Sequence, residues 1–188
     1  MSNCDADTTV CIHEADGEET LVPKYATSEI GIPIVLVDSV YQKHCKHCGE
    51  VLHRIQFPDR LTAAAAVSRA QLPMKLKGDE IRFLRKAIAK SAVELAEFLE
   101  VAPETVSRWE NNKLPMSPAL EKLLRLHVGM ELKAKAPAIL FKPNQVLNMA
   151  IKGVRDPSEE IVMVFQLVVF LAGAEDEPGE EYREKRAA

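Results

Sequence analysis

Between residues 78 and 128, apolar side chains recur every three or four positions in four separate bursts, the period of helices buried on one face. The first burst opens at Gly78 and carries Ile81, Leu84 and Ile88. The second follows Ser91, a suitable N-cap, and presents Leu95, Ala96 and Leu99. The third begins with Pro103, which suits a first helical position because its missing N–H is not needed there. Val106 and Trp109 then point inward, and Glu104, Ser107, Arg108 and Asn111 fall on one polar stripe. Ser117 and Pro118 start a fourth helix, with Leu120, Leu123, Leu124 and Val128 as its apolar face. A turn of about four residues, 99–102, separates the second helix from the third, and Ala96 lets the two approach closely.

On either side of this block the pattern changes. Residues 32–41 are rich in β-branched side chains and predict a strand, with 20–25 as its partner and 51–55 as a continuation. An alanine run within 58–70 predicts a helix linking these strands to the break at Pro73. Further on, 143–152 suggests a helix stopped by Gly153, and Asp156, Pro157, Ser158 and Glu159 have the form of a helix start. Val162, Val164, Val168 and Val169 favour a strand over 163–171. So apolar a strand needs cover, either from the N-terminal sheet or from a second subunit, which makes dimerisation a reasonable expectation.

Charge refines the picture locally. The 188-residue chain carries a net charge of -4, which argues against a generic polyanion binder. Yet residues 75–90 hold six cations (Lys75, Lys77, Arg82, Arg85, Lys86 and Lys90) against Asp79 and Glu80. The first thirty residues hold seven acids against Lys24, and the tail from Glu175 is acidic and reads as a solvated face. A basic helical segment carrying hydrogen-bonding side chains on an anchored short helix is what major-groove reading requires. The longest apolar run, 161–171, is too short for a membrane span, and the polar, acidic start is unlike a signal peptide. A cytoplasmic location without membrane contact is therefore expected, with cysteines reduced or metal-bound.

The cysteines carry the second signal. Cys45 and Cys48 form a C-x-x-C followed by Gly49, the arrangement of a zinc knuckle. One knuckle is half a site. The other half would come from Cys4 and Cys11, or from Cys11 with His13 as the alternative fourth ligand. A third possibility is a degenerate ribbon held by β-packing alone. His44 and His47 alternate with the knuckle cysteines and are expected to face solvent. Any Zn2+ here would be structural, since no open coordination position with a nearby base is apparent. No nucleophile–base pair, phosphate loop or carboxylate dyad suggests an enzyme.

The run from Asp79 to Val128 resembles the Xre/Cro-type helix-turn-helix family, most closely in the segment from Thr105 to Asn112. The resemblance implies that Ala102, Pro103, Glu104, Thr105 and Arg108 face double-stranded DNA. Arg108 would fork onto guanine O6 and N7, while Glu104 would accept from a cytosine amine or merely orient Arg108. It also implies a structural pair between Arg85 and Glu110. The family's glycines in the turn and after the reading helix are Glu100 and Asn112 here, and Ser91 and Ala92 replace a common glutamine. Phosphate contacts then fall to Ser91, Asn111, Lys113 and the backbone.

The fold class expected is α+β. A small zinc-ribbon-like β domain (1–57) is followed by a linking helix (58–73) and an all-α helix-turn-helix domain (74–131). An extension with a helix, a possible dimerisation strand and an acidic tail (132–188) completes the chain. That order is similar to the MqsA-type antitoxin family over residues 11–130. The similarity implies a dimeric repressor on a palindromic operator whose N-terminal domain binds a toxin protein. The alternative is a stand-alone metal- or redox-responsive regulator.

Overall fold

The structure is a computed structural model that describes residues 18–46, 48–153, 161–170 and 179–185. The described residues form a mixed α+β fold with five strands and six α-helices. The predicted helix start at Asp156–Glu159 lies outside the described residues.

The strands form one sheet. β1 (Thr20–Thr27) pairs antiparallel with β2 (Ile34–His44), whose second half pairs with β3 (Val51–Ile55). The first half of β2 instead takes β4 (Met163–Phe170) in parallel, Ile34 opposite Met163 and Leu36 opposite Phe165. β2 changes partner at Asp38, whose φ of 48° bends the strand. Next to it the buried Ser39 hydroxyl donates to the Val37 carbonyl (2.6 Å) and accepts the Leu167 N–H (2.7 Å), sewing the bend to β4. The register of β1 slips between Val22 and Lys24, which puts Pro23, with no N–H to offer, at the irregularity.

β5 (Gly179–Lys185) pairs antiparallel with β4 and corrects the reading of the acidic tail as a wholly solvated face. Tyr182 is fully buried and donates its hydroxyl to the Gln56 carbonyl at 2.6 Å, so one aromatic anchor outweighs the glutamates around it. β4 thus has β2 on one edge and β5 on the other. Both of its edges are therefore paired within the chain, one of them by the N-terminal strand β2.

The helices follow the apolar pattern with local differences. α1 (Pro58–Gln71) is more than a link: from Leu61 to Ala70 only Thr62 escapes burial. Its alanines let β5, α2 (Gly78–Ala87) and α5 (Pro118–Leu132) pack close around it. On α2, Phe83 joins Ile81 and Leu84 in the core, and Ile88, beyond the last turn, is only half-buried. α3 (Ala92–Phe98) and α4 (Pro103–Glu110) fill the two predicted positions between. On α5, Leu124 and Val128 are buried, whereas Leu123 is 40% exposed. One residue advances a helix by about 100°, and with Leu124 and Arg125 at the centre of the buried side that step carries Leu123 to its edge. α6 (Pro143–Asn148) is shorter than predicted, because Met149 turns extended, and Lys152, next to Gly153, already pairs with Met74. No described helix is long and apolar enough to cross a membrane.

A charged cluster sits inside this core. The fully buried Arg125 donates to the carbonyls of Arg69, Ala70, Leu72 and Met74 and to Oε1 of Glu121, at 2.6–3.2 Å. These carbonyls end α1 and lead away from it, and a helix end buried without partners would be costly. Arg69, also buried, forks onto Glu80, and Glu121 in turn accepts the Leu76 N–H at 3.0 Å. Burial first, and then the neighbouring Arg69, pull the Arg125 pKa below its ordinary value, against the opposing pull of Glu121 and Glu80.

Candidate nucleic-acid interface

Three helices in succession end in the same way, and this positions α4. In each, a non-glycine residue adopts a left-handed conformation just past the cap: Ala89 (φ 54°), Glu100 (φ 53°) and Asn112 (φ 55°). The following N–H bonds back to a carbonyl five residues earlier: Lys90 to Arg85 (3.1 Å), Val101 to Ala96 (2.9 Å) and Lys113 to Arg108 (2.8 Å). This is the Schellman closure, in which glycine is the usual occupant. Glu100 therefore keeps the turn between α3 and α4 at some conformational cost. Since Glu100 is exposed, Glu100→Gly is expected to raise stability by about 0.5–1 kcal/mol in urea unfolding. A loss instead would mean that its side chain stabilises the turn.

The start of α3 is fixed by a capping box. The Ser91 hydroxyl accepts the Glu94 N–H (3.1 Å), and the Glu94 carboxylate accepts the Ser91 N–H (2.7 Å). The Ser91 N–H on the carboxylate first, and the Ser91 side chain beside it second, hold the Glu94 carboxyl below its usual range. α4 starts at Ala102 as N-cap with Pro103 at the first position, as its sequence dictates. Val106, Trp109 and Glu110 are buried, Thr105 is half-buried, and Ala102, Pro103, Glu104, Ser107, Arg108 and Asn111 are exposed.

The back of α4 is clamped to α2. Arg85 grips Glu110 through two bonds, Nε to Oε1 (2.5 Å) and Nη2 to Oε2 (3.0 Å). Arg82 adds a third, Nε to Oε2 (3.2 Å), and reaches Asn111 Oδ1 at 3.3 Å. Asn112 Oδ1 accepts the Gly78 N–H at 2.8 Å, tying the end of α4 to the start of α2. The two backbones meet so closely there that a Cβ on Gly78 would lie 2.5 Å from the Glu110 carbonyl oxygen. Burial alone would raise the Glu110 carboxyl, but bonds and charges from Arg85 and Arg82 outweigh it and hold it below the ordinary 4.5. With the folded value depressed, this stabilisation is complete above about pH 4.5 and lost as pH falls through the lower folded value. The stability gap between the wild type and Glu110→Gln should therefore narrow on acidification below pH 4.5. A gap in urea midpoint constant down to about pH 2 would place the effect outside this carboxylate.

Arg108 and Lys113 make no ion pair among the described residues, and Glu104 does not pair with Arg108. Asn111 is committed within the protein: its amide donates to the Ser107 carbonyl at 2.7 Å. Ser91 is exposed, with its hydroxyl already engaged as a cap. The basic excess of residues 75–90 is also partly neutralised internally, since Arg82 and Arg85 face Glu110 and Lys75 lies 3.8 Å from Glu121. Sequence reasoning missed Arg82 and Gly78 as braces of α4. The close approach at Gly78 leaves no local trace, although a glycine opening a helix was a hint.

Cys45 and Cys48 lie in the tight connection from β2 to β3. The Cys45 N–H bonds to the Glu50 carbonyl and the Gly49 N–H to the Cys45 carbonyl, both at 2.8 Å, and Gly49 takes φ 76°. Cys45 is buried, while Cys48 and His44 are exposed. Two thiols in one turn suit the soft-ligand preference of zinc as half of a tetrahedral site. Cys4, Cys11, His13 and His47 lie outside the described residues. Among the described residues no three metal-ligating side chains gather.

Comparison with protein-family models, curated proteins and solved structures finds no significant match to this chain.

Proposed function

We propose that the chain is a sequence-specific regulator of transcription that binds double-stranded DNA. In this reading α3, the 99–102 turn and α4 form a helix-turn-helix of the Xre/Cro type, with α4 as the reader. The observation that carries it is the division of α4. Val106, Trp109 and a doubly clamped Glu110 anchor one side, and Glu104, Ser107 and Arg108 stand in solvent on the other. A rigidly held helix with an unpaired guanidinium at its surface is suited to base reading, because the arginine fork matches guanine O6 and N7. Glu104 would accept from cytosine, Thr105 would flank it, and Lys113 would meet phosphate. Ala102 and Pro103 would line the approach, with Ser91 and Asn111 contributing to the backbone.

The reading extends to a cytoplasmic, dimeric repressor on a palindromic operator, with half-sites about one helical turn apart. The turn at Cys45 and Cys48 would be the knuckle of a zinc-ribbon-like part, completed by Cys4 and Cys11 or by Cys11 and His13. Zn2+ bound there would cross-link the thiolates and stabilise the turn without chemistry of its own. By its resemblance to MqsA-type antitoxins, this part would hold a toxin protein and the chain would repress its own operon. A second reading rests on the exposure of Cys48 beside the buried Cys45: a metal- or redox-responsive regulator without a toxin.

The test is selection of DNA fragments from a random pool by the purified full chain, with metal content measured on the same sample. A shared sequence with two-fold symmetry is expected, and a pool without enrichment would remove the proposal. DNA affinity unchanged by chelator and by oxidant would remove the responsive version alone.

A further inference from the structure

A cleft of about 390 Å³ lies between the end of α1, the start of α6 and β5, and it shares no lining residue with α4. Its size falls within the roughly 300–1,000 Å³ of small-molecule sites. Among its lining residues is Ser68, only 2% exposed, whose hydroxyl has no hydrogen-bond partner among the described residues. A buried hydroxyl left unsatisfied is uncommon in a native structure and points to a missing partner. Lys142 and Glu184 bring opposite charges to the same cleft, and neither forms an ion pair among the described residues. Gln71 fixes one wall, its Oε1 accepting the Lys142 N–H at 2.9 Å. The apolar part is Leu72 and Leu140, the latter 72% exposed and thus an apolar side chain that an occupant would cover.

A cation, an anion, an unsatisfied hydroxyl and a short apolar wall together describe a small zwitterion. We propose that this cleft binds a free α-amino acid with an uncharged side chain. Lys142 takes the carboxylate, Glu184 takes the ammonium, and the side chain lies along Leu72 and Leu140; a shift of the wall on binding uncovers the enclosed Ser68 hydroxyl to donate to the carboxylate. The site is argued from its own residues and stands whether or not the chain binds DNA.

Titration calorimetry on the full chain tests this with L-leucine, L-glutamine and two half-ligands. Isocaproate keeps the carboxylate without the ammonium, and isoamylamine the reverse. One of the two amino acids is expected to saturate in the millimolar range, with each half-ligand about tenfold weaker or more. Lys142→Ala should weaken that amino acid about tenfold and leave isoamylamine unchanged, while Glu184→Gln should weaken it and leave isocaproate unchanged. Backbone amide shifts at Ser68, Gln71, Lys142, Gln145 and Glu184 in the wild type locate the binding without relying on any variant. Neither heat nor shifts with either amino acid up to about 20 mM would overturn the proposal. So would shifts confined to another region, or half-ligands that bind as tightly as the amino acid.

Discussion

Arg125→Met is expected to destabilise the chain by about 3–5 kcal/mol in urea unfolding, the scale for removing one partner of a buried ion pair. Methionine keeps the apolar stem of the side chain and loses every donor. Glu121, which is fully buried, is left without its nearest cation, and Lys75 at 3.8 Å is the remaining one. The carbonyls of Arg69, Ala70, Leu72 and Met74 lose the guanidinium at the same time, although Met74 keeps its bonds from Arg69. Arg125→Lys should recover little, because an ammonium cannot span four carbonyls and a carboxylate as the planar guanidinium does. Adding Glu121→Met to Arg125→Met should recover part of the loss by removing the stranded charge. A single-variant loss below about 1 kcal/mol would mean that water enters and replaces the guanidinium.

The second large effect concerns DNA. On the sequence recovered by selection, Arg108→Ala is expected to lose about 1–3 kcal/mol of binding, with much less change on random duplex. The asymmetry is the decisive part. A guanidinium reading guanine loses specificity when truncated, whereas one resting on phosphate weakens all sequences alike. Arg108 is exposed, and its helix is held from behind by Glu110, so truncation should leave the fold intact. Equal losses on both duplexes, with a shallower salt dependence, would assign Arg108 to the backbone.

Local pattern carried much of this structure. β1, β2 and β3 fall where β-branched runs were bounded by turn residues, and α4 begins at the residue its proline marks. Features that depend on distant partners were not legible. Tyr182 lies among glutamates, and nothing nearby says that Gln56 will receive its hydroxyl. Arg69 and Arg125 look like surface residues until the carbonyls they serve are brought together by packing α1 against α5. At the candidate interface, the exposed and buried sides of α4 followed from helical period. The contacts of Arg82 with Glu110 and Asn111 did not, because they depend on how α2 lies against α4.

The parallel pairing of β2 with β4 also sets a timetable for synthesis. Ile34 and Leu36 leave the ribosome about 130 residues before Met163 and Phe165, an interval of roughly 6–25 s at ordinary elongation rates. During that interval α1 to α5 are complete, while one edge of the nascent sheet stays open and apolar. A chain stopped near residue 150 would retain α4 and its clamp yet carry that open edge permanently, making it a sticky template for other strands.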